Sequence, residues 1–289
     1  MKAGAPLRWL AGTAGALALV AAGAAVWVYV ASEQHLHSFA RPAAFTLPIP
    51  ADTAAIARGD HLALTRGCRG CHGDTLAGQV MWGFAVAPNL PQYARQESAA
   101  TLEAALRHGI GRDGRALYSM PSYNFVRLRD GDAADLIAYQ RSEPVTEKTL
   151  PAASLPWRIR LDLARGTDAA IAAHLHRVPA LQRTADADTR LARGEYIAMT
   201  TCNECHGFGL RADTPWPDET APDLVVVRAY DEAAFRKLMR EGVALGGREL
   251  RMMSPVARGR FAHFTDQEVG DVYAFLSDMS ARAAATPKR

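Results

Sequence analysis

The sequence predicts an all-α protein in which one apolar amino-terminal helix precedes two tandem helical domains of the same design. Three observations carry that expectation. Residues 9–32 form a long run without charge, two halves of the remaining chain repeat the same landmarks at an offset of about 135 residues, and each half closes on a helical pattern. A chain of 289 residues has room for two domains and their connections. With 49% hydrophobic and 22% charged residues it reads as globular. The formal net charge is only +3, and Lys2 and Arg8 lie ahead of the apolar run, so no nucleic-acid partner is expected.

Taken in order, residues 1–32 read as a short cytoplasmic tip and a transmembrane anchor. The 24 residues from Trp9 to Ser32 would make a helix of about 36 Å, enough to span a bilayer. Trp9 at one end and Trp27 and Tyr29 at the other suit the interfacial levels that aromatic rings favour. Lys2 and Arg8 before the span put the amino terminus in the cytoplasm and the rest of the chain outside. The competing reading is a cleaved signal peptide, for which Val30-Ala31-Ser32 is a passable site, although the apolar run is longer than such segments have. Residues 33–53, with prolines at 42, 48 and 50, read as an extended tether holding the next domain off the membrane. The first domain is placed at residues 54–145, a connector without a repeat partner at 146–189, the second domain at 190–283 and a tail at 284–289.

The repeat is visible in paired segments. Arg58-Gly59-Asp60 recurs as Arg193-Gly194-Glu195, Cys68-x-x-Cys71-His72-Gly73 as Cys202-x-x-Cys205-His206-Gly207, and Ala87-Pro88-Asn89-Leu90 as Ala221-Pro222-Asp223-Leu224. Helices are predicted from Thr101 to Arg107 and from Asp231 to Arg240, each before a glycine that stops it. In the closing helix of the second copy, Thr265 and Glu268 form a capping box ahead of the stripe Val269, Val272, Tyr273 and Leu276. Gln140 stands where Leu276 stands in the second copy.

All four cysteines sit in two C-x-x-C-H motifs, and that pattern carries the chemistry. On a helix the two thiols face one side about a turn apart, placed to form thioethers to the two vinyl groups of a haem, while the next residue offers imidazole to the iron. Two covalently bound haem c groups are therefore expected, at Cys68, Cys71 and His72 and at Cys202, Cys205 and His206. Zinc fits less well, because four thiolates and two imidazoles exceed the four ligands it takes. A thioredoxin-like pair would need a strand-to-helix context that neither motif has. Methionine is the expected sixth ligand. Met120 follows His72 by 48 residues and Met253 follows His206 by 47, each after Gly-Arg-x-Leu; Met252 is the one-residue alternative to Met253. The iron ligands are thus expected to be His72, Met120, His206 and Met253.

At these motifs the chain resembles the membrane-anchored dihaem members of the cytochrome c family, over nearly its whole length. Gly67-Cys68-Arg69-Gly70-Cys71-His72-Gly73-Asp74, Ala87-Pro88-Asn89-Leu90 and Met120-Pro121 look like that family's first domain, and Arg260-Phe261-x-x-Phe264-Thr265-Asp266-x-Glu268 like part of its second. The resemblance implies two cytochrome c-like haem domains and places Pro88 and Pro222 beside the proximal imidazoles. The expected role is electron transfer rather than catalysis: a single-pass protein of a bacterial inner membrane whose haem domains face the periplasm. Its expected partners are a periplasmic dehydrogenase or cytochrome as donor and a soluble cytochrome or oxidase as acceptor. The alternative is a dihaem enzyme of peroxidase or thiosulfate-oxidising type, which needs one open iron.

Overall fold

The computed structural model describes residues 5–43, 45–183, 189–214 and 221–285. The expected cytoplasmic tip up to Gly4, part of the connector (184–188) and the tail beyond Ala285 lie outside the described residues. The protein is all-α, with two short hairpins. Helix α1 (Ala5–Leu36) is followed by α2 (Thr53–Thr65), α3 (Cys68–His72), α4 (Leu90–Gln96), α5 (Ala99–His108) and α6 (Asp130–Ser142) in the first domain. The connector contributes α7 (Trp157–Arg165). The second domain holds α8 (Arg190–Met199), α9 (Asn203–His206), α10 (Glu232–Glu241), α11 (Met253–Gly259) and α12 (Asp266–Ala285).

The duplicated motifs acquire a physical reason in the crossing of the first and last helices of each domain. Where α2 meets α6, a Cβ on Gly59 would collide with the Asp135 carbonyl; where α8 meets α12, a Cβ on Gly194 would collide with that of Asp271. Only glycine permits so close an approach. Beside each glycine an arginine pins the crossing: Arg58 Nε lies 2.6 Å from the buried carboxylate of Asp135, and Arg193 Nε 2.6 Å from that of Asp271. The predicted middle helices form as α5 and α10, each ended by a left-handed glycine, Gly109 at φ 65° and Gly242 at φ 73°.

The sheet content is small. Strand β1 (Gln79–Met81) pairs antiparallel with β2 (Ala85–Ala87), Gln79 opposite Ala87. In the second domain β3 (Val243–Ala244) pairs with β4 (Arg248–Glu249), matching an isolated bridge between Ile110 and Ala116 in the first.

Helix α1 is long and apolar enough to cross a membrane over Trp9–Leu36, and most of it is exposed, including the large side chains of Trp9, Leu19 and Trp27. The expected tether needs correction. The helix does not end at Ser32 but runs to Leu36, which is 1% exposed, and the Leu36 carbonyl accepts from the Ala116 amide at 2.7 Å. Phe39, Phe45 and Ile49 then pack on the first domain. Past Leu36 the described stretch is non-helical, as the prolines suggested, but the half-buried Phe45 and Ile49 lie against the domain instead of holding it off. Val28, Ser32 and Leu36 form one buried stripe at helical spacing, and α7 lies along α1. Arg160 of α7 bonds Glu33 at 2.7 Å and Ser32 at 2.9 Å and lies over the Tyr29 ring.

The two domains share one continuous core. Leu62, Tyr123 and Leu136 of the first and Tyr196, Phe264 and Leu276 of the second belong to a single buried cluster, joined by Ile171 and Val178 of the connector.

Candidate functional site

Helix α3 begins after Gly67, held at φ 81°, and ends at Gly73, at φ 80°. These left-handed hinges on either side confine the five residues Cys68–His72 to one tight turn against α2. His72 is buried, and its Nδ1 lies 2.8 Å from the Pro88 carbonyl. A carbonyl only accepts, so Nδ1 carries the proton and Nε2 keeps its lone pair. Burial pulls the ring pKa below the ordinary histidine value, against the opposing pull of the Pro88 bond, and favours this neutral form.

The second motif repeats the arrangement. Cys202 caps α9, and His206 Nδ1 lies 2.8 Å from the Pro222 carbonyl. Its pKa is likewise lowered by burial. Pro88 and Pro222 thus stand beside the imidazoles, and it is their carbonyl oxygens that fix the rings. Residues 215–220, between His206 and Pro222, lie outside the described residues.

None of the four cysteines is in a disulfide. Burial pushes the thiols of Cys68 and Cys202 up to about 11, and that of Cys71 upward. Such thiols are poor thiolates, whereas a thioether carries no charge and loses nothing by burial. Among the described residues, no three His, Cys, Asp or Glu side chains converge as a metal cluster would require.

Cys68, Cys71, His72 and Met120 line one cavity of about 700 Å³, within the range that encloses a cofactor-sized ligand. Arg66 and Arg115 border it, and the buried Nε of each lacks a hydrogen-bond partner. Unpaired guanidinium donors suit an anionic group, and haem carries carboxylates. Gln140, at the position of Leu276 in the second copy, is buried and also borders the cavity. These residues fit a haem: His72 and Met120 would supply donors to its iron, the cysteines the covalent links. In the second domain, Met253 begins α11 and is packed against the common core, as Cys202 is, while Met252 is 63% exposed.

One set of residues at the sites carried no signal in the repeat. Arg260 bonds the backbone of Thr65 and Arg66 and the carboxylate of Glu204, joining the residues that lead into the first C-x-x-C-H motif to the second motif. Arg66 has Thr200 as its counterpart in the second copy, so alignment of the halves passes over it.

The family model for cytochrome c matches residues 56–142 and 191–280, one segment in each domain. Among similar proteins, the fructose dehydrogenase cytochrome subunit of Gluconobacter japonicus is 32% identical over 55% of this chain and 36% of its own. The cytochrome c subunit of the quinone alcohol dehydrogenase of Gluconobacter oxydans is 28% identical over 56% of this chain and 37% of its own. The gluconate 2-dehydrogenase cytochrome c subunit of Pantoea cypripedii is 28% identical over 54% and 38%. The matched part is thus little more than a third of the length of these relatives.

Proposed function

The chain belongs to the cytochrome c family, and on that premise we propose that it is a membrane-tethered dihaem cytochrome. It passes electrons outside the cytoplasm from a dehydrogenase or cytochrome donor toward a respiratory acceptor. The observation that carries the reading is the duplicated imidazole geometry: in each C-x-x-C-H motif the histidine Nδ1 is tied at 2.8 Å to a proline carbonyl 16 residues on. Haem c, once attached, supplies one-electron redox chemistry.

The chain's own residues supply the rest. Cys68 and Cys71 would hold one haem and Cys202 and Cys205 the other; the neutral, oriented imidazoles of His72 and His206 and the thioethers of Met120 and Met253 would be the iron donors. A histidine and a methionine at each iron would leave no vacant position for a substrate, which favours electron transfer over catalysis. A dehydrogenase as donor is supported by relatives that are named as dehydrogenase cytochrome subunits. The exposed apolar surface of α1 supports a membrane anchor, and Lys2 and Arg8 ahead of it support a periplasmic side for the haem domains.

The test is the haem count. Pyridine haemochrome measured against protein mass is expected to give two haems per chain, and Cys202→Ala with Cys205→Ala to give one. A ratio of one in the unmodified protein overturns the dihaem reading, and rapid carbon monoxide binding at one haem would favour an enzyme.

A further inference from the structure

We propose that Arg260 is a positioning residue that fixes the two haem-attachment segments against each other, so that the haems act as one coupled pair; this rests on the dihaem reading above. The guanidinium lies between the segments. Its Nε donates to the Thr65 carbonyl at 2.8 Å and its Nη2 to the Arg66 carbonyl at 2.6 Å, on the strand of backbone that leads into Gly67 and Cys68. Its Nη1 donates at 2.8 Å to the carboxylate of Glu204, which stands between Cys202 and Cys205. One planar group thus ties the backbone just ahead of the first motif to a residue within the second, using the fork geometry that lysine lacks.

The surroundings are built for this contact. The Arg260 side chain is 12% exposed, so water competes weakly for its donors. A Cβ on Gly67 would collide with the guanidinium, so the glycine that starts the first motif also makes room for the bridge. The Tyr123 hydroxyl donates to the Glu204 carbonyl at 2.9 Å, and the Asn203 amide donates to the Tyr123 carbonyl at 3.3 Å. The turn three residues past Met120 therefore holds the second attachment helix. Glu204 itself borders the first cavity, so part of the second motif is wall for the first haem.

Two measurable effects follow. The bridge sets the distance and orientation across which an electron leaves one reduced iron and reduces the other. Its positive charge, lying between both sites, also disfavours the ferric state of each, because that state carries one more positive charge. Arg260 thereby raises both potentials, and Glu204 lowers them.

The experiment uses the full-length holoprotein. Midpoint potentials come from spectroelectrochemical titration, and electron exchange between haems from absorbance transients after photoreduction. Arg260→Ala is expected to lower both potentials and to slow exchange by about tenfold to a hundredfold, as small misplacements of positioned groups do. Arg260→Lys keeps the charge but not the fork, so the potentials hold while exchange slows. Glu204→Gln keeps an oxygen acceptor, so exchange holds while both potentials rise. Unchanged exchange in Arg260→Ala, or a potential shift confined to one haem, overturns the proposal. If Arg260→Ala does not accumulate with its haems, unchanged exchange in Arg260→Lys together with unshifted potentials in Glu204→Gln overturns it equally. A haem count of one in the unmodified protein would instead remove the dihaem premise.

Discussion

Met252 and Met253 are adjacent and chemically identical, and only their surroundings separate them: the first is 63% exposed, the second packs on the core. A thioether bound to ferric haem gives a weak absorption band at the red edge of the visible. Met253→Ala is expected to remove about half of that band and open one iron to cyanide, while Met252→Ala leaves both closed. The reverse result would move the ligand by one residue. Glycine positions make an equally sharp claim. Gly59→Ala or Gly194→Ala forces a methyl group into a backbone carbonyl at a helix crossing, and each is expected to cost about 1–3 kcal/mol in denaturant unfolding of the holoprotein. Ordinary destabilisation scales would rate the same exchange in an open helix as stabilising, so a gain in stability would contradict the crossing geometry.

Helix α12 starts with the capping box that its sequence announces. The Thr265 amide donates to Glu268 at 2.7 Å and the Glu268 amide to the Thr265 hydroxyl at 3.1 Å. The same carboxylate has a second use, because His61 of α2 reaches across the domain interface to it at 2.9 Å. Burial favours the neutral acid, yet the bonds from His61 and Thr265, with the Arg66 charge nearby, outweigh it and hold the Glu268 pKa below the ordinary value. A carboxyl whose pKa is lower folded than unfolded contributes stability that is complete above its unfolded pKa of 4.5. That stability is lost as pH falls through the folded value. Glu268→Gln is therefore expected to flatten the decline of melting temperature below about pH 4.5, with little change in slope near neutrality. An unaltered acid limb would remove Glu268 from the interface account. The contrast shows what the sequence made legible. Capping boxes, paired C-x-x-C-H motifs and glycine stops are local or repeated, so α12, the attachment turns and the ends of α5 and α10 could be read directly. His61 with Glu268, and Arg260 with Thr65, lie 207 and 195 residues apart and occur once. Neither periodicity nor repetition marks such pairs, and the merging of two domains into one core was hidden with them.

On the proposed membrane anchoring, the packing of the first domain against α1 decides how the molecule meets a membrane. A flexible spacer would let the first domain swing free, but the structure replaces it with a clamp. Glu33 accepts from Arg160 at 2.7 Å and from Arg115 at 3.0 Å, while Leu36 is buried beside Ile110 and Leu163. Because Val28, Ser32 and Leu36 all face protein, the clamp begins inside the uncharged run, so the first domain sits close against the end of the apolar segment. Leu36 and Arg160 also border the cavity lined by Cys68, Cys71, His72 and Met120, which ties that cavity to the same end of the helix. Truncation separates anchoring from clamping. Behind a cleavable signal, a chain starting at Trp27 loses most of the apolar surface but keeps the clamp. It is expected to be soluble, to hold both haems and to melt close to the full-length protein in detergent. A chain starting at His37 loses the Leu36 side chain and both Glu33 ion pairs. That removes about 2–4 kcal/mol, mostly from the buried leucine, and lowers the melting temperature by roughly 5–10 °C. Arg160→Ala in the longer form should reproduce only part of the loss, since it breaks the ion pair but leaves Leu36 buried. Equal melting of the two truncated chains would mean that residues 27–36 add nothing to the fold, and the first domain would then be free to move on its anchor.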